Sequence, residues 1–252
     1  MAPKSLAILI GAGPATGAGI ARVLASQGNM AVALLARRPE PLQELTKTLR
    51  SQVPGSIFEA FPTDASKPDD IKKTFQAIKE KKELAGLKLD LAIFSVKHSS
   101  KKGFMDETYE EFTDSLTAYV GGAFSFSQES LKRFFADHGE SSLSDGGGKK
   151  GTLIFTGTLG ALRCSANFAA YGATRSSVRQ LSQSLAREFS EKGVHVVHTI
   201  ANGGIEDADG EAQKQGKKMS AEAVGRTYLW LQQQGVELFT HELDLRPAAE
   251  KF

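Results

Sequence analysis

The residues of this chain with the plainest chemical purpose stand between an apolar run and a helix-patterned segment. The turn Gly13-x-x-x-Gly17-x-Gly19, with Thr16 inside it, follows residues 5–10 (SLAILI) directly. Glycines at this spacing let backbone N–H groups and a helix N-terminus approach a pyrophosphate, because no Cβ stands in the way. A glycine triplet also describes a plain tight turn, so its position between strand and helix is what points to a dinucleotide. The next apolar run ends in Ala36-Arg37-Arg38, about 18 residues beyond Gly19, where NAD-binding proteins usually carry an acid for the ribose hydroxyls. Arginine at that point can pair bidentately with a 2′-phosphate, which favours NADP(H) over NAD(H). The alternative is a pair of solvated arginines opening the next helix.

These residues need a scaffold, and the hydrophobic pattern supplies one. Apolar runs at 5–10, 30–36, 56–61, 87–95, 151–156, 194–200 and 236–240 read as strands buried on both faces. Between them lie helix-period segments at 17–28, 40–52, 68–82, 107–136, 167–192 and 220–234. In the segment 167–192, Val178, Leu181, Leu185 and Phe189 make one apolar stripe. Alternating strands and helices predict an α/β protein with a parallel sheet covered on both faces. With no internal repeat or dividing linker, residues 1–252 are expected to form a single NADP-binding domain.

Composition narrows the function classes. Lys plus Arg is 31 against 29 for Asp plus Glu, a net charge of +2, too balanced for a nucleic-acid or anionic-membrane surface. No stretch reaches the length of a membrane span, and MAPKSLAILIGAG reaches glycines too early for a secretory signal. The ending Glu250-Lys251-Phe252 does not match the Ser-Lys-Leu peroxisomal address. The single cysteine, Cys164, suits a reducing compartment, so a cytoplasmic protein with small-molecule partners is expected. His195 and His198 lie three apart on one strand and face opposite sides, and no metal site is expected. The polar segment 136–150 reads as a mobile surface loop, and 202–219 as a connection or a lid over the sheet's carboxyl edge. The pairs Lys101-Lys102, Lys149-Lys150 and Lys217-Lys218 read as solvated loops.

Together these features resemble the short-chain dehydrogenase/reductase family over the whole chain, which implies a single-domain, doubly wound Rossmann fold with a seven-stranded parallel sheet. Further matches are Tyr171-x-x-x-Arg175, where the family has Tyr-x-x-x-Lys, and Thr158, thirteen residues before the tyrosine, where it usually has Ser. Thr63-Asp64-Ala65 falls where the family contacts adenine, and Phe94-Ser95-Val96-Lys97 where it usually reads Asn-Asn-Ala-Gly. In IANGGI, Asn202 replaces the proline of the family's Pro-Gly-x-Ile turn, which would set Gly203 and Ile205 near the nicotinamide. The ending THELDLRP looks like a bacterial and fungal subgroup of the same family.

The resemblance implies hydride transfer between NADP(H) and a small-molecule carbonyl or alcohol. Tyr171 would be the acid/base, Thr158 would orient the oxygen, and Arg175 would position the ribose and Tyr171. It also implies a homodimer or homotetramer. A phenol, with a free pKa of about 10, acts near neutrality only beside a cation, which Arg175 can supply. Unlike the family's Lys, a guanidinium keeps its proton, and Tyr119 falls where the family has its relay Asn. Two other functions therefore stay open: a non-redox isomerase or cyclase using the same pocket, and a catalytically silent cofactor-binding protein.

Overall fold

Strand β1 (Ser5–Ile10) is buried along its whole length, with Leu6, Ile8 and Ile10 in one apolar layer and Ala7 and Leu9 in the other. That two-residue alternation is what a strand covered on both faces requires. The chain then runs through the glycine turn to α1 (Thr16–Ser26), β2 (Met30–Ala36), α2 (Pro39–Gln52), β3 (Phe58–Pro62), α3 (Pro68–Glu80) and β4 (Leu89–Phe94). Both α2 and α3 open on a proline, which has no N–H to lose in the first turn, and Asp69 and Asp70 face the positive end of α3. This computed structural model describes residues 3–207 and 210–250. The chain ends read above for targeting, and two residues of the segment 202–219, lie outside the described residues.

The predicted helix 107–136 forms as two helices, α4 (Tyr109–Ser115) and α5 (Gly122–His138), joined by a π-helical turn at Leu116–Gly121. A capping box between Thr108 and Glu111 starts α4. Then follow β5 (Gly151–Gly157), α6 (Ala169–Phe189) and β6 (Val194–Ala201). Two short strands, β7 (Ile205–Glu206) and β8 (Met219–Ser220), pair with each other around α7 (Glu211–Lys214), before α8 (Ala221–Gln233) and β9 (Glu242–Leu245).

Seven parallel strands form the main sheet in the order β3-β2-β1-β4-β5-β6-β9. The expected fold is the observed one: α1, α2 and α8 cover one face through Ile20, Leu42 and Tyr228, while α3, α5 and α6 cover the other through Phe75, Phe126 and Val178. The seventh strand is not at 236–240 but at Glu242–Leu245, beside β6 with His198 opposite Glu242. Val236 and Leu238 point outward, and Phe239 stacks on His195 with ring centroids 4.5 Å apart. Gln234 holds the connection in place by bonding the Thr240 N–H at 2.9 Å and its hydroxyl at 2.8 Å.

The reading of one lysine pair also changes. Lys149 and Lys150 are not solvated: Lys149 Nζ donates to Gln234 O at 2.6 Å, and Lys150, 2% exposed, donates to Ser141 O at 2.6 Å. Burial pushes Lys149 down to about 8. The stretch before them forms a hydrogen-bonded turn, with Gly147 N on Ser142 O and Leu143 N on Glu191 O, both at 2.8 Å. At 202–219, Glu206 pairs with Lys218, and Asp207 with Arg22 on α1. Arg22 also holds Glu222 on α8 at 2.7 Å, so one guanidinium joins α1, α8 and this segment. Among the described residues no helix is long and apolar enough to cross a membrane.

His195 lies between two carbonyls, Nδ1 3.1 Å from Leu231 O and Nε2 2.8 Å from Thr240 O. A neutral ring can donate to only one of them. Burial nonetheless pushes the imidazole down to about 4, with the Lys149 charge adding to it, against the pull of both carbonyls. The unfolded chain therefore binds a proton that the folded chain refuses between about pH 6.5 and 4. Stability is complete above pH 6.5 and falls as the pH drops through that window. The urea midpoint should fall between pH 7 and pH 4.5, and fall less in His195→Gln; equal slopes in the two proteins would refute the assignment.

Candidate active site

A groove lies where the strand order reverses, at the carboxyl ends of β1 and β4, the position at which open α/β sheets bind ligands. After β1, Gly11 takes a φ of +89°, and a side chain there would collide with the Ser95 carbonyl at the end of β4. Gly11 and Ala12 donate their N–H groups to Leu35 O at 2.8 and 3.0 Å, which holds the turn against β2. A cavity of about 350 Å³ runs from Arg37, Arg38 and Asp64 past Gly13 to Thr16 and Ser95. Adjoining it through Thr16 and residues 95–98 is a chamber of about 360 Å³ lined by Thr158, Tyr171, Arg175, Gly203 and Ile205.

The turn residues divide between two tasks. Gly13 has open space where a Cβ would stand, and at Gly17 a Cβ would lie 3.0 Å from Ala12 Cα. Gly19 does not line the groove; a Cβ there would collide with Ala221, so its bareness serves the packing of α1 on α8. Thr16 is 4% exposed, and its hydroxyl has no partner, a buried polar atom at the neck between the two spaces. Arg37 and Arg38 are exposed, with no carboxylate in ion-pair contact among the described residues. Asp64 accepts from the Ser66 N–H at 3.0 Å and its hydroxyl at 2.7 Å. Burial opposes that carboxylate's charge, but Ser66, Lys67 and Arg37 together hold its pKa below the usual range. Ala65 is buried under α5, where Gly122 leaves room for its carbonyl. A bare glycine cradle, an unpaired buried hydroxyl and two uncommitted guanidiniums fit a phosphorylated dinucleotide.

In the inner chamber the Thr158 hydroxyl, just past β5, meets the Tyr171 hydroxyl from the first turn of α6 at 2.7 Å. Gly160 makes this meeting possible, since a Cβ there would lie 2.5 Å from the Tyr171 ring. Arg175 meets Tyr171 through its ring and not by a hydrogen bond to the phenolic oxygen. Its guanidinium is sandwiched between rings, 4.1 Å from the Tyr171 centroid and 3.9 Å from that of Tyr119. Nη1 donates to His98 O at 3.1 Å, the Ser99 hydroxyl at 2.8 Å and the Thr174 hydroxyl at 3.0 Å, while Nε is buried without a partner. Tyr119, in the π-helical turn, donates to Thr156 O at 3.3 Å, and burial pushes its hydroxyl up to about 12. It remains a protonated donor that floors the site.

The pattern reading missed several residues here. Lys101, read as a solvated loop, has its Nζ 4.5 Å from the Tyr171 ring centroid and 5.2 Å from that of Phe168. His98 and Ser99 hold Arg175, and Gly160 makes way for the tyrosine. All follow the carboxyl ends of β4 and β5, where the sheet type alone already directs attention. With a phenol, a partner hydroxyl, a fixed cation and an adjoining groove, the chamber can bind an oxygen-bearing substrate and exchange a proton with it.

Comparison with known proteins agrees with this fold. The family profile described as short chain dehydrogenase matches residues 5–218. An uncharacterised oxidoreductase of Listeria monocytogenes is 27% identical over 190 residues, covering 75% of this chain and 69% of that protein. A solved short-chain dehydrogenase from Rhodopseudomonas palustris superposes with a TM-score of 0.76 at 25% identity, over 97% of this chain and 99% of that one. Another from Burkholderia cenocepacia, solved in complex with NADP, gives a TM-score of 0.78 at 20% identity, over 98% of both chains, and shares the fold.

Proposed function

The chain belongs to the short-chain dehydrogenase family, and from that membership we propose that it is an NADP(H)-dependent oxidoreductase acting on a small-molecule carbonyl or alcohol. The observation that carries this reading is the 2.7 Å contact between the Thr158 and Tyr171 hydroxyls at the inner end of the groove. Gly13, Thr16 and Gly17, which line the groove, would hold the phosphates of NADP(H), Arg37 and Arg38 its 2′-phosphate, and Gly203 and Ile205, which line the inner chamber, the nicotinamide end, whose chemistry would be to supply or take the hydride. In the reducing direction Tyr171 gives its proton to the substrate oxygen as negative charge develops there, and the Thr158 hydroxyl holds that oxygen.

Arg175 does a different job from a relay lysine. It keeps its proton throughout, so it contributes a fixed charge, and its planar group keeps the Tyr171 ring from turning. The proton lost by Tyr171 then has to return through the Thr158 hydroxyl or from water in the chamber.

Three outcomes test the reading. Tyr171→Phe should lower turnover of a carbonyl substrate by at least about 100-fold, as removal of a general acid does, with NADPH affinity within twofold of the parent. Full activity in that variant would overturn the mechanism. Arg175→Lys should lower turnover, because an ammonium cannot stack between Tyr119 and Tyr171 while meeting His98 and Ser99 together. A gain of activity would mean that a titrating relay operates. By calorimetry, the Arg37→Ala, Arg38→Ala double variant should lose at least about tenfold in NADPH affinity and little in NADH affinity, the scale of losing charge-assisted hydrogen bonds. Parallel losses for both cofactors would assign the arginines to opening α2.

A further inference from the structure

Beyond the inner chamber, Tyr171 and Thr158 also form one wall of a side cavity of about 490 Å³. Its only charged lining residues among those described are Lys101 and Arg163, both cations, and no Asp or Glu lines either this cavity or the inner chamber. Neighbouring Lys102, by contrast, pairs with Glu111. Lys101 and Arg163 have no such partner among the described residues. Lys101 is instead drawn against the rings of Tyr171 and Phe168, its Nζ 4.5 Å from the centroid of the ring that carries the reacting hydroxyl. Two like charges lining one cavity repel each other, and an anion between them removes that repulsion.

We propose that the substrate carries an anionic group, a carboxylate or a phosphate, close to its carbonyl or carbinol carbon, and that Lys101 and Arg163 bind it. This rests on Tyr171 being the reacting centre. Lys101 lies over the ring whose hydroxyl serves the substrate oxygen, so an anion held there is only a few bonds from that oxygen. Arg163 offers a flat fork for two anionic oxygens, and Lys101 a point charge. The cofactor's phosphates have their own cradle at the glycine turn, whose cavity neither Lys101 nor Arg163 lines.

The test is equilibrium binding to the NADP(H)-saturated protein at constant ionic strength. By calorimetry, inorganic phosphate and 2-oxobutanoate are titrated separately, so that the two arms tell phosphate from carboxylate, with the methyl ester of 2-oxobutanoate as the neutral control. At least one anion should bind at least tenfold more tightly than the ester, and its affinity should fall at least tenfold in Lys101→Met and in Arg163→Met. Both side chains are exposed, and unchanged thermal midpoints check that the variants fold. Equal binding of acid and ester, absence of binding by both anions, or full anion affinity in both variants would overturn the proposal. So would a tenfold loss of NADPH affinity in Lys101→Met, which would assign that ammonium to the cofactor. Anion binding that survives without any hydride transfer would instead count against the redox reading alone.

Discussion

A permanently charged guanidinium sealed between two tyrosine rings holds this site together. Arg175 is 4% exposed, and a buried cation is costly unless something answers its charge. Here the answer comes from three separate parts of the chain: the loop after β4 through His98 and Ser99, the π-helical turn through Tyr119, and α6 itself through Tyr171 and Thr174. Each part is anchored in turn by the sheet or by a capped helix, so the guanidinium draws three rigid pieces to one point. The extra residue of a π-helical turn lets Tyr119 meet the guanidinium from below while Tyr171 meets it from α6. With this stack in place, Tyr171 has few orientations left, and the one it takes meets Thr158.

Much of this was legible from spacing because it depends on local geometry. Five consecutive apolar residues at 6–10 read as a strand covered on both sides, and the glycines after them as a turn open to close approach. Likewise the step of thirteen positions from Thr158 to Tyr171 crosses from a strand end to a helix start at the same edge of the sheet. What escaped depends on partners far along the chain. Lys150 looks like any surface lysine until the chain folds it back onto Ser141 and Gly148. VELFT and HELDL both alternate, and only the register beside β6 selects the second as a strand. Gly19 carries the signature of a phosphate turn but meets Ala221, some two hundred residues later in the chain. Lys101 was hidden by its doublet with Lys102, which pairs with Glu111 while its neighbour lies over the Tyr171 ring.

The division of labour follows from the α/β architecture. Strands and the helix starts that follow them hold the cradle, the phenol and its partner hydroxyl in a frame that little can move. The loops after β4 and β5 carry Lys97, Lys101 and Arg163, whose identity barely affects the core. On the proposed reading, the frame would set reactivity, and segments that can change without disturbing it would set preference among substrates.

Arg22 adds a mechanical consequence. It projects from α1, the helix that begins at the glycine turn, and grips Asp207 and Glu222. The helix that follows the glycine turn and the segment that continues from Ile205 in the wall of the inner chamber are therefore braced to one another by ion pairs that run outside the sheet.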